Sequence, residues 1–192
     1  MLPTPNPSSE KFIFCLEAID DIENYTETAA LKSLSQLAVN FGVNSIYKTC
    51  DTIEGLEDSL NALRYDDHHF KNYEIIYLVV PGEANNICLN DYYYSLEEIA
   101  EVFEGRLKGK ILHFANLKVL DLEANEAQFF LDVTGARAIS GYGEATQRVS
   151  SLLLDNVFFT LCETEDSITA VVKELYKKQS ALCQMLDFRL YH

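Results

Sequence analysis

The chain has 192 residues, 48% hydrophobic and 23% charged, and a formal net charge of −15 at pH 7. That length holds one domain with a sizeable core, and the composition excludes a disordered chain. The acidity excludes nucleic-acid or anionic-membrane binding without a local basic patch, and the longest basic run is Lys177-Lys178.

Residues 1–10, within "MLPTPNPSSEKF", contain three prolines and no apolar stretch. They read as a flexible lead-in and not as a secretion signal, with residues 11–192 forming one domain. "KFIFCLE" (Lys11–Glu17) is a first strand. "ETAALKSLSQLAVNFG" places Ala30, Leu31, Leu34, Leu37, Ala38 and Phe41 on one helical face, and Gly42 stops the helix. "NSIYKTCD" is a second strand. "TIEGLEDSLNALRY" is a helix with Thr52 as N-cap and Ile53, Leu56, Leu60 and Leu63 on its apolar face.

A third strand, Ile75–Val80, stops at Pro81-Gly82 within "EIIYLVVPGEANN". "NNICLNDYYYS" reads as a small hairpin with its turn at Asn90-Asp91. Ser95 and Glu98 form the signature of a capping box ahead of "LEEIAEVF". "GKILHFANL" is a fourth strand, "EANEAQFFLDVTG" a short helix and "ARAISGYG" a fifth strand. Two further helices follow, "TQRVSSLLLDNVFFTLC" and "DSITAVVKELYKKQSALCQML". The closing "DFRLYH" is an edge strand or a fraying tail. Strands alternating with helices across short loops imply parallel strands and right-handed crossovers, hence an α/β fold: a three-layer α/β/α sandwich with a mostly parallel sheet.

Ligands of such folds sit at the carboxyl ends of the strands, so each candidate chemistry is tested there. Dinucleotide binding needs glycines after the first strand, and "AIDDIENY" has none. A phosphate-accepting domain needs an acidic residue ending the third strand, where Val80-Pro81 stands; Asp20, Asp21 and Glu23 read as a solvated loop. His68 and His69 are adjacent and have no nearby cysteine, so no metal site or cofactor is expected. His113, inside the fourth strand, reads as a partly buried, hydrogen-bonded core histidine. Cys15, Cys50, Cys88, Cys162 and Cys183 show no CxxC pair and read as free thiols of a cytoplasmic protein. No apolar run approaches the ~20 residues that a bilayer requires.

Five stretches run in order from Glu74 onward: "IIYLVVPG", "ICLNDYYYSLEEIAEVF", "KILHFANLKVLD", "FFLDVTGARAISGY" and "RVSSLLLDNVFFTLC". In that order they resemble the caspase-like clan of cysteine peptidases, in particular its bacterial CHAT-type branch. The resemblance implies a caspase-like sheet with a histidine ending the third strand and a cysteine ending the fourth. The histidine position falls on Pro81, and the cysteine position on Asn116 or Leu117. Proline exchanges no proton, and neither asparagine nor leucine supplies a thiolate, so both members of the dyad are substituted.

The resemblance therefore implies no catalytic residue in its usual place. What remains is a cleft in which Gly82, Glu83, Asn116 and Tyr142 meet at adjacent strand ends. Those residues form a binding groove, or else the glycines turn the chain and Tyr142 packs against the rim. The expected function is a catalytically inactive binding or regulatory module for an unidentified protein or peptide partner. One alternative is a hydrolase using Glu83, Asn116 and Tyr142. Another is a structural protein that forms homodimers or oligomers through an edge strand supplied by "DFRLYH".

Overall fold

The computed structural model describes residues 12–19, 27–68, 70–115, 118–144 and 148–192. The lead-in, Asp20, Asp21, Glu23, His69, Asn116 and Leu117 lie outside the described residues. In chain order the elements are β1 (Phe12–Ala18), α1 (Ala29–Phe41), β2 (Asn44–Cys50), α2 (Ile53–Asp66) and β3 (Tyr73–Val79). A short β4 (Gly82–Glu83), β5 (Asn86–Leu89) and β6 (Tyr92–Ser95) form a separate antiparallel sheet ahead of α3 (Leu96–Val102). Then come β7 (Ile111–Phe114), α4 (Ala124–Thr134), β8 (Ala138–Tyr142), α5 (Arg148–Thr164), α6 (Ile168–Met185) and β9 (Phe188–Tyr191).

The main sheet has six strands in the order β2-β1-β3-β7-β8-β9. Its first five are mutually parallel, while β9 runs antiparallel to β8. The expected three-layer sandwich is therefore the observed fold, and "DFRLYH" supplies an edge strand. Side chains alternate across the sheet with period two. Phe14, Leu16, Ile76, Leu78, Leu112 and Phe114 meet α2, α3 and α4. Ile13, Cys15, Ile75, Tyr77, Ile111 and Ala138 meet α1, α5 and α6.

Local signals form as the sequence dictates. The Thr52 hydroxyl accepts the Gly55 amide at 3.1 Å. Ser95 and Glu98 complete the capping box, with the Ser95 amide donating to the Glu98 carboxylate at 2.7 Å. Asn90 and Asp91 both take positive φ, 48° and 64°, as a two-residue hairpin turn that follows strand twist requires.

The apolar face of α1 differs from expectation. Ala30, Ser33, Leu34 and Leu37 are buried, whereas Ala38 is exposed and Phe41 is 62% exposed. Ser33 is held inward because its hydroxyl donates to Asn156 of α5 at 2.9 Å. At the other end the buried position passes from Phe41 to Val43, past the left-handed turn at Gly42. Leu37→Ala should therefore cost about 2–5 kcal/mol and Phe41→Ser less than about 0.5 kcal/mol. Urea denaturation midpoints check the pair, and similar losses at both positions would contradict this placement.

Candidate functional site

At the end of β3 the chain passes through Pro81, which is exposed, and turns at the buried Gly82. The Pro81 carbonyl accepts the Cys88 amide at 2.6 Å, which ties the turn to the hairpin. Glu83 is exposed and pairs with Lys118 at 3.5 Å. Ala84 and Asn85 follow with φ of 49° and 63°, two consecutive left-handed residues without glycine. Such backbone persists only where its surroundings hold it. Here the Asn85 side chain does so, donating to the Asp121 carbonyl at 2.6 Å and accepting the Asp121 amide at 2.7 Å.

Residues 118–122 form a strap across the strand ends. The Lys118 amide donates to Gly82 at 3.4 Å, the Asn85 amide to Val119 at 3.1 Å, and the Leu120 amide to Tyr142 at 2.7 Å. The Leu122 amide donates to the Tyr191 hydroxyl at 3.1 Å, and Arg189 pairs with Asp121. Leu120 is wholly buried and packs on Gly141, where an added Cβ would lie 2.9 Å from Leu120 Cδ2 and 3.2 Å from the Phe114 carbonyl. The strand ends of β3, β7 and β8 are thus covered by the chain itself.

Tyr142 is not on the rim that the sequence suggests, and the structure does not bring its side chain together with Glu83. Alternation in β8 turns it towards α5, where it is wholly buried and its hydroxyl donates to Asp155. Asn116, the remaining expected member of the cleft, lies outside the described residues.

Beneath Tyr142 lies a constellation that no sequence motif announces. The register aligns Cys15, Tyr77, His113 and Ser140 as one row across β1, β3, β7 and β8. Asp155 of α5 closes on that row. His113 Nε2 stands 2.8 Å from Asp155 Oδ1, and Tyr77 donates to Asp155 Oδ2 at 2.7 Å. His113 Nδ1 stands 2.8 Å from the Ser140 hydroxyl. With Nε2 donating to the carboxylate and Nδ1 accepting from Ser140, every polar atom of the group has a partner. His113 is wholly buried, deeper than its strand position implies, with Tyr77, Tyr142, Phe158, Phe159 and Phe188 around its ring. A serine, a histidine and an aspartate in hydrogen-bonded series resemble a nucleophile triad. Ser140, His113 and Asp155 are all 0% exposed, however, so a substrate carbonyl has no route to the hydroxyl.

Four of the thiols, Cys15, Cys50, Cys162 and Cys183, are buried as well, whereas Cys88 in β5 is half-buried. Burial pushes the Cys50 thiol up to about 12 and the Cys183 thiol up to about 11. Burial, with the carboxylates of Glu17 and Asp155, also raises Cys15. A thiol held protonated is a weak nucleophile. The free cysteines form no disulfide, and among the described residues no group of three side chains is arranged to hold a metal. No helix of the described residues is long and apolar enough to cross a membrane. His68 is exposed and lines a shallow pocket of about 250 Å³ with Asp66 and Asp67.

Beside the strap lies an open pocket of about 530 Å³ between the β4–β5 turn and the N-terminal ends of α3 and α4. Asn85, Asn86, Asn125, Glu97 and Glu126 line it together with the exposed ring of Phe129. The sequence shows only its first element, the residues after Pro81-Gly82; Asn125 and Phe129 come from a helix 40 residues further on.

The model of a family described as a family of unknown function, DUF6642, matches residues 10–192. The chain belongs to that family. No curated protein matches the sequence.

Two outcomes test this geometry. Gly141→Ala should destabilise this family member by about 1–3 kcal/mol, because Leu120 must move or strain. Chemical denaturation measures it, and an unchanged midpoint would show that Leu120 does not seal the strand ends.

The second outcome concerns pH. Burial also raises the Tyr77 and Tyr142 phenols, and the Asp155 carboxylate adds to both shifts. Groups raised in the folded state contribute stability that is complete below their unfolded values and lost as pH climbs towards the folded ones. Unfolded thiols ionise from about 8.5 and phenols from about 10. Lys110, lowered to about 8 by burial, opposes this with the reverse sign between its folded and unfolded values, but it is one group against several. The urea midpoint, measured in reductant, should therefore fall steadily above about pH 8.5. A level midpoint to pH 11 would contradict the assignment.

Proposed function

We propose that this protein is a catalytically inactive binding or regulatory module on a caspase-like frame, engaging a protein or peptide partner beside its strand ends. The observation that carries this reading is the exposed Pro81 at the end of β3, where the resembled peptidases place a base, next to strand ends closed by Leu120. The order of elements supports the frame: a hairpin and α3 follow β3, and Thr134-Gly135-Ala136 leads from α4 into β8. Four buried thiols and a sealed Ser140–His113–Asp155 series support the absence of turnover. The pocket of about 530 Å³ supplies the place for a ligand, with amides, carboxylates and one exposed aromatic ring.

Incubation with broad panels of fluorogenic peptides and esters, with and without iodoacetamide, tests the reading. No turnover above buffer is expected. Peptide or ester cleavage abolished by a single Cys→Ser change, or by Ser140→Ala in a protein that still folds, would overturn it.

A further inference from the structure

A second surface, at the far edge of the sheet, carries an inference that does not depend on the pocket beside α4. β9 ends the main sheet, and among the described residues no strand lies beyond it. Its pairing with β8 sets Phe188 opposite Tyr142 and Leu190 opposite Ser140. The Tyr142 carbonyl is taken by Leu120 from the β7 side, so Tyr142 turns its backbone away from β9. Antiparallel alternation then directs the N–H and C=O of Phe188 and Leu190 outward. The Phe188 carbonyl accepts the Tyr176 hydroxyl at 3.0 Å. Among the described residues nothing bonds the outward amide and carbonyl of Leu190. Edge strands are commonly blunted by proline, a charged side chain or a bulge; "FRLY" has no proline and pairs with β8 without a register shift, and its one charge, Arg189, is bound by Asp187 and Asp121.

A groove of about 600 Å³ runs along this edge, walled on the other side by Thr169, Val172, Lys173 and Tyr176 of α6. The segment that walls it is basic, although Arg189 is paired with Asp187 and Asp121 and Lys177 with Glu174. Residues 168–192 carry Lys173, Lys177, Lys178 and Arg189 against only Glu174 and Asp187, in a chain of net charge −15. Lys173 lines the groove and makes no ion pair among the described residues, and His192 lies at its end.

We propose that the outer edge of β9 and the groove beside α6 take an extended, acidic segment of a partner protein, added to the sheet as a further strand. Main-chain bonds to Leu190 supply the pairing, and an acidic side chain meets Lys173 on the wall of the groove. The free strand edge selects a polypeptide over other polyanions, since a phosphate backbone offers no matching row of amides.

Fluorescence anisotropy of a labelled, acetylated decapeptide of alternating Glu and Val, titrated with the full chain, tests the proposal. Saturable binding is expected, weakened about tenfold between low and high salt and about fivefold by Lys173→Glu. Leu190→Pro should abolish it while circular dichroism stays unchanged, because the amide it removes points away from β8. The exposed Lys173→Glu variant keeps the test decisive if the proline variant fails to fold. Equal binding of an alternating Lys–Val peptide, indifference to Lys173→Glu, or no binding at about 1 mM would overturn the proposal. Tighter binding of an oligothymidylate would overturn it in favour of a nucleic acid. A concentration-dependent dimer that Leu190→Pro dissolves would overturn it in favour of a second copy of this chain.

Discussion

A carboxylate with no access to water sits at the centre of this molecule, and the arrangement around it follows from that constraint. An unpaired charge at such depth is untenable, so Asp155 must be met by donors with good geometry. Two tyrosines and a histidine supply them from three strands. Each donor reaches Asp155 only if β3, β7 and β8 hold their present register, because a one-residue slip would send all three side chains to the opposite face. The docking of α5 and the registration of the sheet are thus one condition. Burial of apolar surface supplies the bulk of the stabilisation, but it is indifferent to register in a way that this group is not.

The same commitment removes the group from chemistry. A serine, histidine and aspartate in series would serve catalysis at an open strand end, yet here they lie between the sheet and a long helix under a lid of phenylalanine rings. The strand ends, where chemistry is customary in α/β folds, are covered by residues 118–122. The two largest openings described lie beside these places: a pocket against α4 and a groove against α6.

Much of the fold was legible because its signals are local. Thr52, Ser95 with Glu98, Gly42 and Asn90-Asp91 act within a few residues of themselves, and each ends or turns an element as its chemistry requires. The alternation of helical and strand-like runs gave the layers for the same reason. Ser33 and Phe41 were not legible, because a partner 123 residues away and the end of a helix decide which of them is inside. Tyr142 failed similarly: its place at a strand end was right, but Asp155 determines where its hydroxyl goes. A signal was present all the same. Asp155 is the lone charge in "SSLLLDNVFFTLC", and an acidic residue in such a run implies buried donors opposite. Pairing it with His113 and Ser140 required the register of strands far apart in sequence.

The strap has a further consequence, in the order of assembly. Its anchors at Tyr191 and Arg189 belong to β9, which follows every other strand in chain order and lies 69 and 68 residues beyond its partners Leu122 and Asp121. During synthesis the parallel strands can associate as they emerge, but the cover over their ends stays short of two fastenings until β9 arrives. A nascent chain of this kind would pass through a stage with its strand ends less firmly closed than in the finished fold, and closure would be the last step of its maturation.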